Sequence, residues 1–180
     1  MKKILLLSLL FLFIIFSSCK KGSGSGGGVS YGSDLNTWTF KEGSTVFSGQ
    51  LLFDEALLNK TLQSNNSYTF DMSGPEKNSG ALFSLILSLL DLNFTVKTYQ
   101  SGTAGNDYLN AFYYTETPSS VDDIYKSSNL DPGPIMNYTI TAYDATKDIV
   151  TIEFNGQAQL VSGNYVNITG GKVTAKIDRF

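Results

Sequence analysis

Two patterns of apolar residues divide this chain. The first is a run from Ile4 to Phe16, broken only by Ser8. The second begins near residue 35 and has period two, the spacing of half-buried β-strands. Thr37-Trp38-Thr39-Phe40-Lys41 puts Trp38 and Phe40 on one face. Lys41-Glu42-Gly43-Ser44 reads as a turn, and Thr45 to Phe53 as a second strand with Gly49 as a candidate bulge. Asp54 to Leu62 predicts one or two helical turns, with Asp54 and Glu55 at the favourable N-terminal end. Ser67 to Met72 alternates again, and Gly74 to Gly80 is a loop by composition. Ala81 to Leu92 is apolar except for Ser84, Ser88 and Asp91. Its two serines share a face at either helical or strand spacing, and the strand-rich neighbourhood favours a buried strand.

Asn93–Gln100 and Tyr108–Thr115 follow as strands. Residues 116–135 hold three of the four prolines and read as irregular, because prolines at this density keep a segment out of central sheet positions. An excursion of that length inside a compact domain is usually functional or mobile. Asn137–Tyr143 and Asp148–Asn155 form a hairpin across Asp144–Lys147, followed by a polar crossover, Gly156–Asn164, in a position to extend the strand. In Lys172–Ile177, Val173, Ala175 and Ile177 face inward, and the lysine-flanked outer face suits an edge strand. The pattern predicts an all-β domain, an antiparallel β-sandwich or flattened barrel of about eight or nine strands.

The first pattern has a different meaning. Lys2 and Lys3 precede the apolar run, Ser17 and Ser18 follow it, and it is too short to cross a bilayer comfortably as a permanent helix. These are the parts of a secretory signal peptide. The stretch Phe16-Ser17-Ser18-Cys19, ending on the chain's single cysteine, resembles the lipobox of bacterial lipoproteins. That resemblance implies that Cys19 is acylated with a fatty acid such as palmitate and becomes the first residue of the mature protein. Residues 20–33 are a Gly/Ser tether spanning about 20 Å r.m.s.. The expected organisation is therefore 1–18 signal peptide, 19–33 acylated cysteine and tether, and 34–180 a single β-domain. Lys20 stands where an aspartate would favour inner-membrane retention, so the resemblance implies a lipid anchor in the outer membrane. The absence of acids just after the cysteine slightly favours a periplasm-facing domain over a surface-exposed one.

Charge and composition narrow the chemistry. Loss of residues 1–18 leaves 11 basic against 16 acidic side chains, a net charge of −5. An acidic domain repels phosphate backbones, which argues against nucleic acid as a partner. With Cys19 committed to lipid there is no disulfide, and the fold must stand on its hydrophobic core. The chain has no histidine. That excludes Ser-His and Cys-His catalytic pairs and histidine-bearing zinc sites. Carboxylate chemistry survives, as a glycosidase pair or a calcium site.

The run Thr139 to Phe154, followed by Asn167-Ile168-Thr169-Gly170-Gly171-Lys172-Val173, is similar to the closing strands of a family of small single-domain all-β bacterial lipoproteins. The early Trp38-Thr39-Phe40 strand is similar to their first strand. The resemblance spans roughly residues 35–178. It implies an anchoring cysteine, a short tether and one all-β domain of largely unknown function, and it supplies no catalytic residues.

Three sets of side chains invite function. Asp122, Asp123, Asp131 and Glu116 gather acids that could hold calcium, but the regular Asp-x-Asp-x-Asp-Gly loop is absent and a solvated acidic loop is the simpler reading; no metal or cofactor is expected. Tyr108, Phe112, Tyr113 and Tyr114 with Tyr125 could make an aromatic platform for a sugar or peptide, although alternation turns some of them into the core. Tyr113, Tyr114 and Tyr125 are the candidate ligand contacts. Asp71, Asp91, Glu116 and Glu153 could serve a hydrolase, yet no spacing singles out a pair. Asn93-Phe94-Thr95 and Asn167-Ile168-Thr169 match a glycosylation triplet but read as ordinary strand and turn composition in a bacterial lipoprotein. The expectation is a non-catalytic binding or structural module that meets the membrane through Cys19 and holds an envelope protein or glycan. The alternatives are a carboxylate-dependent hydrolase acting on glycans in the periplasm or at the cell surface, and a lipid carrier, which needs a hollow interior.

Overall fold

The computed structural model describes residues 34–52, 56–60, 68–89, 92–101, 110–116, 123–128 and 133–179. The expected signal segment, Cys19 and the tether lie outside the described residues. Eleven strands follow one another: β1 (Thr37–Glu42), β2 (Thr45–Gln50), β3 (Ala56–Lys60), β4 (Tyr68–Pro75), β5 (Leu82–Leu89), β6 (Thr98–Gln100), β7 (Ala111–Thr115), β8 (Asp123–Ser128), β9 (Met136–Asp144), β10 (Ile149–Leu160) and β11 (Tyr165–Arg179). No α-helix is present among the described residues. The architecture is the expected all-β one, a nearly closed, barrel-like sandwich.

Closure follows from the pairings. Strands β11, β3, β4, β5, β7, β8 and β10 are neighbours in that order, and β10 pairs back onto β11. Two ribbons branch from this ring, β1–β2 from β11 and β9–β6 from β10. Strand β11 is the hub. One of its edges pairs with β10, while the other carries β1 and then, over Ile177–Arg179, a short parallel pairing with β3. All the other strand pairs are antiparallel.

Period-two alternation delivers one face of each strand to a common core. Trp38 and Phe40 of β1, Phe70 and Met72 of β4, Phe83, Leu85 and Leu87 of β5, Phe112, Tyr138 and Phe154 are each at most 1% exposed. Rings fill the interior: Trp38 stacks on Phe83 at 4.6 Å and 12°, and Phe40 meets Phe112 edge-on at 5.4 Å. Such offset-stacked and T-shaped arrangements match the aromatic quadrupole.

Several expectations are corrected. Ala56–Lys60 is a strand, β3, where helical turns were expected; the long-range partners β4 and β11 override local propensity there. Asp123–Ser128 is also a strand, β8, inside the proline-rich stretch, because the prolines fall outside its six residues. These two account for the excess over nine strands. Leu82–Leu89 is a strand, as favoured, and the described crossover residues extend β10 to Leu160. Asn93–Gln100 is strand only from Thr98; Phe94 has φ 46° and is buried, whereas Val96 is 67% exposed. Gly49 is no bulge, since Trp38↔Gly49 keeps regular register; an extra residue falls instead in β11, opposite Thr39–Lys41 of β1 and Phe154–Gly156 of β10. Strand β11 is no edge. Its lysines mark an exposed face of an interior strand.

The C-terminal end of β11 is tied to the β9–β10 turn. Arg179 Nη2 donates to Asp148 Oδ1 at 2.8 Å, and Tyr143 Oη donates to the same oxygen at 2.7 Å. The Arg179 hydrogen bond, with that of Tyr143, holds the Asp148 carboxyl below its ordinary range. A depressed folded-state pKa stabilises above the unfolded pKa and is lost as pH falls through the folded value. Asp148→Asn will therefore lower the urea midpoint at neutral pH. The difference from wild type will close below about pH 4. The pair is partly exposed and solvent-screened, so about 0.2–1 kcal/mol is expected.

Candidate functional site

The β1–β2 ribbon folds over the ring and meets β4 at one seam. Gly49 bridges to Glu76, Lys77 N–H donates to Ser48 C=O at 2.9 Å, and Leu52 N–H donates to Ser73 C=O at 2.8 Å. Gly49 and Gly74 allow this approach. A Cβ on Gly49 would collide with the carbonyl oxygen of Pro75 and lie 2.7 Å from the Trp38 ring; one on Gly74 would collide with the carbonyl oxygen of Gln50. Toward the β1–β2 turn the seam opens into a cleft of about 590 Å³, between Thr45–Phe47 on one side and Glu76, Ser79, Tyr114, Glu116, Ile124 and Tyr125 on the other.

Its floor is aromatic because register places it so. Phe40 pairs with Phe47 across the two-residue Gly43-Ser44 turn, where Gly43 has φ 57°. Tyr114 pairs with Tyr125 across β7 and β8. The tyrosine rings stack at 5.7 Å, and Phe47 lies 5.3 Å from Tyr114 and 5.9 Å from Tyr125. Tyr114 is 3% exposed and Tyr125 7%.

The rim is acidic. Tyr125 Oη donates to Glu42 Oε2 at 3.2 Å; burial, with the charge and hydrogen bond of Glu42, pushes the phenol up to about 12. It stays protonated at any physiological pH. Glu76 Oε2 accepts the backbone N–H groups of Asn78 (2.9 Å) and Ser79 (2.6 Å), Asn78 Nδ2 reaches Oε1 at 3.5 Å, and the Ser79 hydroxyl adds a further hydrogen bond to the carboxylate. Burial pushes the Glu76 carboxyl up, but the hydrogen bonds from Ser79 and Asn78 more than offset it and hold it below its ordinary range. Glu116 stands exposed beyond the end of β7. No lysine or arginine is among the described residues lining the cleft.

A second hollow, of about 670 Å³, lies by β1 and β2, where Thr37, Thr39, Ser48, Gln50, Lys77 and Lys172 give it a polar lining.

Of the residues singled out from sequence, the cleft brings together Tyr114, Tyr125 and Glu116. Tyr113 alternates to the opposite face, opposite Ser84 and Lys126. Asp71 accepts from Ser73 Oγ at 2.8 Å on the outward face of β4, and Glu153 is exposed on β10. Tyr108, Asp91, Asp122 and Asp131 lie outside the described residues. Among the described residues no cluster of three or more acidic or cysteine side chains is placed to hold a metal. Sequence reasoning missed Phe47, Glu42 and Glu76. The Gly43-Ser44 turn was the available signal for Phe47, since a two-residue turn sets the register that puts it opposite Phe40.

No protein-family model, no curated protein and no solved structure matches this chain.

Proposed function

We propose that the chain is a lipid-anchored protein of the bacterial outer membrane, periplasm-facing, whose β-domain is a non-catalytic binding module for an envelope protein or glycan. The observation that carries the binding role is the open cleft with an aromatic floor and acidic rim, built beside a core that side chains fill. A filled interior is the wrong shape for a lipid carrier. The hydrolase alternative has less support. A glycosidase needs a carboxylic acid with a raised pKa beside a second carboxylate. Glu76, the buried acid of the cleft, is instead held ionised by its hydrogen bonds.

The anchor is tested by growing cells with a fatty-acid probe and comparing wild type with Cys19→Ala. Wild type will carry the label and the variant will not; label retained by Cys19→Ala overturns the lipoprotein reading. Protease shaving of intact cells will leave the protein uncut if it faces the periplasm, and degradation would instead place it at the surface.

A further inference from the structure

We propose that the cleft takes an extended, basic stretch of polypeptide, added as a strand to the outer edge of β2, which beyond its bridge at Gly49 pairs with no other strand among the described residues, with a lysine or arginine side chain reaching Glu76 and Glu116. The proposal deepens the binding-module reading and rests on it, but not on the lipid anchor.

The edge supplies the first reason. Ser48 C=O points away from β1, toward Lys77 N–H. Backbone groups alternate in direction along a strand, so the N–H and C=O of Val46 point the same way, away from β1 and into the opening where β2 has left β4 behind. Val46 is 57% exposed. An extended peptide completes such an edge with main-chain hydrogen bonds.

Charge is the second. Glu76 and Glu116 line the cleft, Glu42 lies behind Tyr125, and the described lining holds no cation. A carboxylate has about four acceptor positions. The Glu76 carboxylate, already bonded by Asn78 and Ser79, supplies charge to the cleft wall, and the exposed Glu116 carboxylate supplies acceptor positions for the incoming cation. Phe47 and Ile124, half-buried in the lining, give the aliphatic stem of a lysine or arginine apolar surface to lie on.

The tyrosines also separate a peptide from a sugar. A glycan platform offers a ring face to the sugar, but Tyr114 and Tyr125 are nearly buried and stacked on each other, and Phe47 packs on Phe40 at 4.7 Å.

The test uses the full chain in detergent micelles and a fluorescein-labelled, end-blocked peptide of alternating lysine and valine, read by anisotropy. Its counterpart with glutamate for lysine and a hexamer of N-acetylglucosamine are the comparison probes. The lysine peptide will bind, and the glutamate peptide will bind at least about tenfold more weakly. Glu116→Gln, at an exposed position, will weaken binding of the lysine peptide about two- to fivefold. Val46→Pro removes one edge N–H where proline is tolerated, so the fold will persist by circular dichroism while binding falls about tenfold or more. Equal binding of the two peptides, no binding by either, or full binding by a folded Val46→Pro variant overturns the proposal. Binding of the sugar hexamer alone would make the cleft a glycan site, leaving the broader binding role standing and this inference overturned.

Discussion

Phe40→Ala will lower the free energy of unfolding by about 3–5 kcal/mol, the cost of emptying an aromatic position in a packed core. The ring is wholly buried among other rings, with Phe47 at 4.7 Å, Phe112 and Tyr114 at 5.4 Å, Trp38 at 5.9 Å and Phe154 at 6.4 Å. These neighbours come from β2, β7 and β10 and from β1 itself, so no single backbone shift closes the space. A domain of this size has about 5–15 kcal/mol in total, which makes the loss a large share. Urea unfolding followed by the fluorescence of Trp38, the chain's one tryptophan, measures it directly. Phe40→Leu keeps most of the volume and will cost less. A loss below about 1 kcal/mol for Phe40→Ala would mean that the interior can collapse around the gap, contrary to its packing.

Gly49→Ala will force the β2–β4 seam apart. The added methyl meets a backbone carbonyl, which cannot rotate away as a side chain can, and it meets the Trp38 ring as well. Overpacking of this kind costs about 1–3 kcal/mol. Gly74→Ala strikes the same seam from β4, through the carbonyl of Gln50. Because one opening relieves both collisions, the double variant will lose less than the sum of the single ones. Hydrogen exchange at Leu52 and Lys77, whose N–H groups cross the seam, will speed up in each variant, while amides of the β10–β11 pairing stay protected. Additive losses, or unchanged exchange at both amides, would show that the seam does not act as one unit.

The alternating strands were legible in the sequence because each carries its own period-two signal. Trp38 and Phe40, Val173, Ala175 and Ile177, and Val150, Ile152 and Phe154 all face the core as their spacing requires. What escaped depends on partners distant in the chain. Strand β3 has its edges satisfied by β4 and by the far end of β11, which no local window contains. Gly49 shows a subtler limit: a glycine within a strand signals either a bulge or a close approach, and only the position of Pro75 decides between them. The lysines of β11 suggested an edge because an exposed face and an exposed edge have the same composition. Tyr114 and Tyr125 were visible as aromatics, yet their pairing with Phe47 and the acids of Glu42 and Glu76 arises only when β2 folds over β4.

Strand β11 also sets when this protein can fold. Thr37 lies opposite Thr174, and β3 and β10 need the same final strand. Contacts so distant in sequence place the domain among slow folders, on the order of milliseconds to seconds. A nascent chain emerging from the ribosome has its first strand long before it has that strand's partner. Until residue 165 and those after it are made, β1 and β3 lack their β11 partner and expose edges that invite aggregation. The same delay keeps the growing chain loose enough to be threaded through a translocation pore, as the proposed export requires. A prematurely terminated product would lose the hub and give chaperones and proteases an open target.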